Sequence, residues 1–179
     1  MVIGGLAAPE SAWADESVLG GLVRLAGGGG GARKYQRIAA YVVCVQDERL
    51  LLVRTGPSVA ADAARWTLPG GGLEHGEQPE AGAVREVEEE TGFDIEITGL
   101  LGVDSIREFW ADRNTDFHGL RIVYSGQVVG GELRSEVGGT TDLAAWIPLT
   151  DVVGLYRLSL VDIALGFIHT GTASGLREA

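Results

Sequence analysis

Residues 71–93 carry a spacing of residue types suited to binding a cation. Gly71 is followed six residues later by Glu77, and eight residues beyond that comes Arg85. Glu86, Val87, Glu88, Glu89, Glu90, Thr91, Gly92 and Phe93 complete the run. On a helix of 3.6 residues per turn, positions 86, 89 and 90 share one face. Three carboxylates on one stripe repel one another, and more strongly when partly buried. A hard divalent cation removes that penalty. Ligands that are all oxygen, without cysteine or histidine, select Mg2+, Mn2+ or Ca2+ over zinc. Val84, Val87 and Thr91 on the opposite stripe can face a sheet. Arg85 is placed to pair with Glu89, four residues on, or with Glu77. In either pairing its guanidinium orients a carboxylate rather than touching substrate. Pro69-Gly70-Gly71-Gly72 lets the backbone turn sharply beside the helix and bring a carbonyl to the cation.

The charge of the whole chain agrees with a local need for cations. There are 25 acids against 14 bases in 179 residues, a net charge of −11. Residues 74–96 hold nine acids and one base, which is −8 of that total. Such a surface repels phosphate, so duplex nucleic acid is excluded as a partner. The lone cysteine, Cys44, lies in an apolar run and reads as a core residue, which excludes a disulfide scaffold and a cysteine zinc site. No segment has the ~18 apolar residues needed to span a membrane, and acids interrupt the N-terminus too early for a secretory signal. The expected location is therefore cytoplasmic.

The elements that must position these residues follow from the apolar pattern. Ile38 to Val45 reads as a buried strand, Asp47-Glu48 as a turn and Leu50 to Val53 as the second strand of a hairpin. Residues 56–65 read as a loop. Trp66 to Leu68 is a short strand stopped by Pro69 and the glycines. Pro79 opens a helix that ends at Thr91, with Gly92 as its stop. Phe93 to Gly102 and Leu120 to Val129 read as strands, Arg107 to His118 between them as a polar loop, and Gly130-Gly131 as a turn. A strand from Leu143 ends at Pro148, and a closing helix spans Leu158 to His169. This order predicts an α/β fold, a mixed sheet with helices on its faces. Residues 1–33 are expected to form a flexible, glycine-rich extension, with a short amphipathic helix from Ser17 to Leu25, and residues 34–179 the folded domain.

The segment from Gly71 to Phe93 resembles the Nudix box of the Nudix hydrolases. All nine specified positions agree: Gly71, Glu77, Arg85, Glu86, Val87, Glu89, Glu90, Gly92 and Phe93. The resemblance runs in element order from about Arg37 to about His169. It implies an α/β/α sandwich around a mixed sheet, and water attack on the diphosphate of a nucleoside diphosphate linked to another moiety. It also implies Mg2+, with Mn2+ as second choice, held by Glu86, Glu89, Glu90 and the Gly70 carbonyl. Glu86 is the first candidate for the base, with Glu136 on a downstream loop as its competitor and Asp142 behind it.

Arg54, Trp110 and His118 are the candidate substrate contacts: Arg54 on a phosphate, Trp110 stacked on a base, His118 in the polar loop. The family's ADP-ribose and dinucleoside-polyphosphate groups carry a proline or a tyrosine downstream of the box, and neither is present at that spacing. Their absence leans toward a nucleoside triphosphate or a nucleotide sugar. The implied partner is a small nucleotide, with a second copy of the chain as the other candidate. The competing reading is a catalytically silent nucleotide-binding regulator.

Overall fold

The computed structural model describes residues 23–24, 31–59 and 63–174, with side chains over 31–59 and 63–168. Its elements are β1 (Val23–Arg24), β2 (Arg33–Gln46), β3 (Arg49–Thr55), β4 (Trp66–Thr67) and β5 (Gly70–Gly72). After them come α1 (Pro79–Thr91), β6 (Phe93–Trp110), β7 (Thr115–Gly131), β8 (Thr141–Pro148), α2 (Leu149–Val152) and α3 (Ser159–Ser174).

β2 is the spine of the molecule. It runs parallel to β7 from Arg33–Thr115 to Cys44–Gly126 and antiparallel to β5, while β6 is antiparallel to β7, so the sheet is mixed. β3 turns back from β2 and pairs antiparallel with β4 and β8. The two-residue turn between β2 and β3 has positive φ at both Asp47 and Glu48. That geometry matches the twist of a hairpin.

Alternation along β2 separates two cores. Ala39, Tyr41 and Val43 pack with Leu160, Val161 and Ala164 of α3. Ala40, Val42 and Cys44 pack with Ala83 and Val87 of α1. A strand buried on both faces is continuously apolar, which is why Ala39 to Cys44 show no alternation, while Ile38 and Val45 at the ends of the expected buried run are exposed. The result is the expected sandwich of helix, sheet and helix. Cys44 lies inside the α1 core, and burial pushes its thiol pKa up to about 12. Among the described residues, no helix is long and apolar enough to cross a membrane.

The structure corrects four local expectations. Arg107 to His118 is not a loop: β6 continues to Trp110, a 3-10 turn spans Ala111–Arg113, and β7 starts at Thr115. The hairpin has one wet face, so polar residues at alternate positions imitate a loop. Gly70–Gly72 forms a strand on Ala39 to Tyr41 rather than only a turn. Gly130 and Gly131 belong to β7 and pair with Asp94 and Phe93. At the N-terminus, Val23 and Arg24 pair with Gln36 and Tyr35 as strand, where a helix was expected. The rest of that expected helix lies outside the described residues.

Candidate active site

α1 has the ends its sequence requires. Pro79 occupies the first turn, where a missing N–H leaves no bond unmade, and Gly92 ends the helix in the left-handed region at φ 74°. Val87 and Thr91 are fully buried against the sheet and Val84 is half-buried, as the stripe predicts. The other face presents Glu86, Glu89 and Glu90 along a gradient of exposure. Glu90 is buried, Glu86 is 19% exposed at its side chain and Glu89 52%.

Each carboxylate is held. The Gly70 N–H donates to Glu90 Oε2 at 2.8 Å. Arg85 donates through Nε and Nη2 to the two oxygens of Glu77, at 2.9 and 3.0 Å. Its Nη1 donates to Glu86 at 3.0 Å and Glu89 at 3.3 Å, and its Nη2 also reaches the Gly72 carbonyl at 3.4 Å. The alternatives for Arg85 thus resolve as a bidentate pair with Glu77 and single bonds to the two box glutamates. This guanidinium fork ties the loop before α1 to the acidic face.

Glu86 and Glu90 line one cavity with Gly70, Gly71, Thr67 and Thr141. Burial pushes the Glu90 pKa well above the ordinary range, against the Gly70 bond that lowers it. Burial also raises that of Glu86, with Arg85 opposing. Two carboxylates that resist ionisation in a common cavity are suited to a cation that would stabilise their charge. The buried Thr67 hydroxyl lines the same cavity and has no hydrogen-bond partner among the described residues. Among the described residues, no three His, Cys, Asp or Glu side chains form a ready metal cluster. Glu89 is the exposed one of the three, and Arg85 holds it.

Glu136, on the segment between β7 and β8, is tied to this cavity through Thr141, which lines it. The N–H groups of Glu132 and Arg134 donate to the carbonyls of Gly92 and Thr91, which pins that segment to the end of α1. Glu136 Oε2 accepts from the Thr141 N–H at 3.1 Å and the Thr141 hydroxyl at 3.0 Å. Its charge is close enough to raise the pKa of Glu90.

The NUDIX domain profile matches residues 34–165. The chain belongs to the Nudix family. It is 35% identical over 127 residues to a MutT-like protein of Streptomyces ambofaciens, covering 69% of this chain and 73% of that one. It is 35% identical over 98 residues to an ADP-ribose pyrophosphatase of Methanocaldococcus jannaschii, covering 55% of this chain. The matched region is 54% of that relative's length. A NUDIX hydrolase structure from Nitrosomonas europaea superposes with a TM-score of 0.62 at 29% identity, covering 76% of this chain and 90% of that one.

The remaining candidates of this Nudix chain lie elsewhere. Arg54 and Asp142 hold each other through two bonds of 2.8 and 3.1 Å. A bulge explains the meeting: Arg54 pairs with Leu143 and Thr55 with Thr141, leaving Asp142 as the extra residue. Trp110 is buried and stacks on Phe117 at 4.5 Å, with Tyr35 beside both. It is a packed ring of the β6–β7 hairpin, not a loop aromatic. The Gln36 Nε2 amide donates to His118 Nδ1 at 3.1 Å, in a polar groove that shares no residue with the Glu86–Glu90 cavity.

Sequence reasoning missed Arg37. It is 6% exposed and lines the cavity beside Glu86, with its guanidinium over Gly72. A period of two would have found it. Arg37 is in phase with Ala39, Tyr41 and Val43 and must therefore point inward with them.

Proposed function

We propose that this Nudix domain is a divalent-cation-dependent hydrolase of the diphosphate linkage in nucleoside diphosphate derivatives, with nucleoside triphosphates or nucleotide sugars as the favoured class. The observation that carries the reading is the cavity shared by Glu86 and Glu90, set beside a box with no position missing. Glu86, Glu89, Glu90 and the Gly70 carbonyl would hold Mg2+, or Mn2+ in its place. A cation bound there offsets the negative charge on the diphosphate oxygens as the leaving group departs.

The chain's own residues supply the rest. A carboxylate takes the proton of the attacking water while its oxygen bonds to phosphorus. The phosphorus–oxygen bond on the far side breaks, and its electron pair leaves with the departing phosphate. Glu136 and Glu86 are the two candidates for the proton. Glu136 is anchored by Thr141 and its charge acts on Glu90, which supports it as the base. Arg85 keeps the acidic face in position without contact to substrate.

The test is a hydrolysis panel of nucleoside triphosphates, nucleotide sugars, ADP-ribose and dinucleoside polyphosphates, with Mg2+ and with Mn2+. Turnover of a triphosphate or nucleotide sugar that stops with chelator is expected. Nucleotide binding without turnover of any member would replace the reading with the silent regulator.

A further inference from the structure

The face of the sheet that α1 covers extends beyond the helix. Ala40, Val42 and Cys44 of β2 lie in the α1 core. Toward the start of β2 the same face carries Ile38, Gln36 and Lys34, since alternate residues of a strand share a side. Residues directly opposite on paired strands share it too. Gln36 stands beside His118 and His118 beside Arg107, while Lys34 stands beside Asp116 and Asp116 beside Phe109. Val103 joins the same face through Ile122, which pairs with Ala40. Three apolar side chains are open here: Ile38 is 41% exposed, Val103 58% and Phe109 59%. On the opposite face, at the same end of the sheet, Tyr35, Trp110 and Phe117 are already buried together.

The open face holds a groove of about 520 Å³. Within it, Arg107 donates to the two oxygens of Asp116 at 2.8 and 2.6 Å. That pair cancels, and Lys34 leaves the groove positive in a chain of net charge −11.

The chain reaches this groove from its own N-terminal side. Val23 of β1 pairs with Gln36 and Arg24 with Tyr35. Further along that edge of β2, the Leu73 N–H donates to the Ile38 carbonyl at 3.1 Å and Gly72 pairs with Ala39. A strand running back from Val23 therefore finds room for one more residue, opposite Arg37. A longer approach has to cross a face of the sheet, and the α1 side is the open one. Residues 1–22 contain the acids Glu10, Asp15 and Glu16, no lysine or arginine, and the apolar Leu6, Trp13, Val18 and Leu19. Three strand spacings, about 14 Å, separate β1 from β6. A segment of that length covers about 33 Å even as a helix, so its reach is ample.

We propose that residues 1–22 dock across this open face, with Trp13 and its aliphatic neighbours on Ile38, Val103 and Phe109 and the acids at Lys34. The inference is independent of the hydrolase reading. A second copy is the poorer occupant. A two-fold contact sets a patch against itself, and here it would oppose Lys34 to Lys34.

Lys34 is the sole lysine of the chain, which makes the test specific. A carbodiimide joins a carboxylate to an amine in contact with it, with loss of water. Applied to the full chain, and followed by peptide mapping by mass spectrometry, it is expected to link Lys34 to Glu10, Asp15 or Glu16 within one chain. Phe109→Ser removes an exposed ring and should cut the yield of that link about 10-fold, the scale of one lost apolar contact. If Phe109→Ser does not fold, Val103→Ser should lower the yield in the same direction. Mixing isotopically light and heavy chains identifies the occupant. Links between light and heavy chains would assign the face to a second copy and overturn the proposal. Coupling of Lys34 to Asp116 alone, no coupling, or a yield unchanged in the apolar variants would overturn it as well.

Discussion

Gly71 leaves the space that the Glu86 carboxyl group occupies. A Cβ at position 71 would lie 2.5 Å from Glu86 Cδ and Oε2 and 2.7 Å from Oε1. The box glycine and the box glutamate, 15 positions apart, are thus one steric unit. Gly72 stands in the same relation to Arg37, with a Cβ there 2.7 Å from Nη2. Gly71 and Gly72 leave room for side chains from other elements, whereas Gly70, at φ 137°, lies against the backbone of Ala40 and Tyr41.

Gly71→Ala should therefore damage chemistry more than folding. Its φ lies outside the left-handed region, so alanine meets no backbone strain there. The Cβ displaces Glu86, and a misplacement of that order costs roughly 100-fold in turnover. Turnover with Mg2+ and the thermal midpoint in chelator, read side by side, check this. A midpoint that collapses while turnover per folded molecule holds would refute the steric account.

Glu89→Gln and Glu90→Gln should each weaken Mg2+ binding and lower turnover by orders of magnitude with the fold intact. Mg2+ should also raise the melting temperature of the wild-type chain, since it binds only the folded state. Isothermal titration and a melting series at millimolar Mg2+ measure both. Unchanged titration and rate in both variants would sink the metal assignment.

Without a cation, Glu90 should cost stability at neutral pH. Its folded pKa is raised by burial, so the unfolded chain ionises more readily. The associated stability is present below the unfolded value, near ~4.3, and is lost as pH rises through the elevated folded value. In chelator, Glu90→Gln should therefore be more stable than the wild type at neutral pH. The gap should close as pH falls toward the ordinary carboxylate range. Denaturant midpoints at several pH values decide it, and a gap that widens on acidification contradicts the sign.

Arg85→Lys should loosen the acidic face. The lysine keeps the charge but cannot bond both Glu77 oxygens while holding Glu86 and Glu89. Loss of these charge-assisted bonds is expected to cost about 1–3 kcal/mol of stability. Turnover should fall with it, and a double-mutant cycle with Glu77→Gln should show coupling. Additive effects would mean that the fork is not an organising contact.

The base is tested by separating rate from metal affinity. Glu136→Gln should lower turnover at saturating Mg2+ by about 100- to 10,000-fold with near-normal metal titration. Glu86→Gln should lower both. Normal turnover in Glu136→Gln withdraws the loop residue and leaves Glu86 or Asp142 for the role.

The sequence by itself determined the box helix. Its limits, its buried Val87 and Thr91 and its acidic stripe all depend on residues within four positions of one another, which a 3.6-residue period makes visible. The β2–β3 hairpin was legible for the same reason, as an apolar run closed by a two-residue turn. Tertiary structure alone decided what meets across the sheet. The outer end of the β6–β7 hairpin, read as a loop, escaped notice because Arg107 and Asp116 pair on a wet face and look like loop residues. Arg54 and Asp142 meet only because a bulge sets Asp142 out of register. Gln36, His118 and Arg107 come from three strands, and their common groove depends on pairing registers that no local pattern encodes. Local periodicity fixes which face a residue shares with its neighbours in the chain; long-range pairing fixes which residues that face confronts.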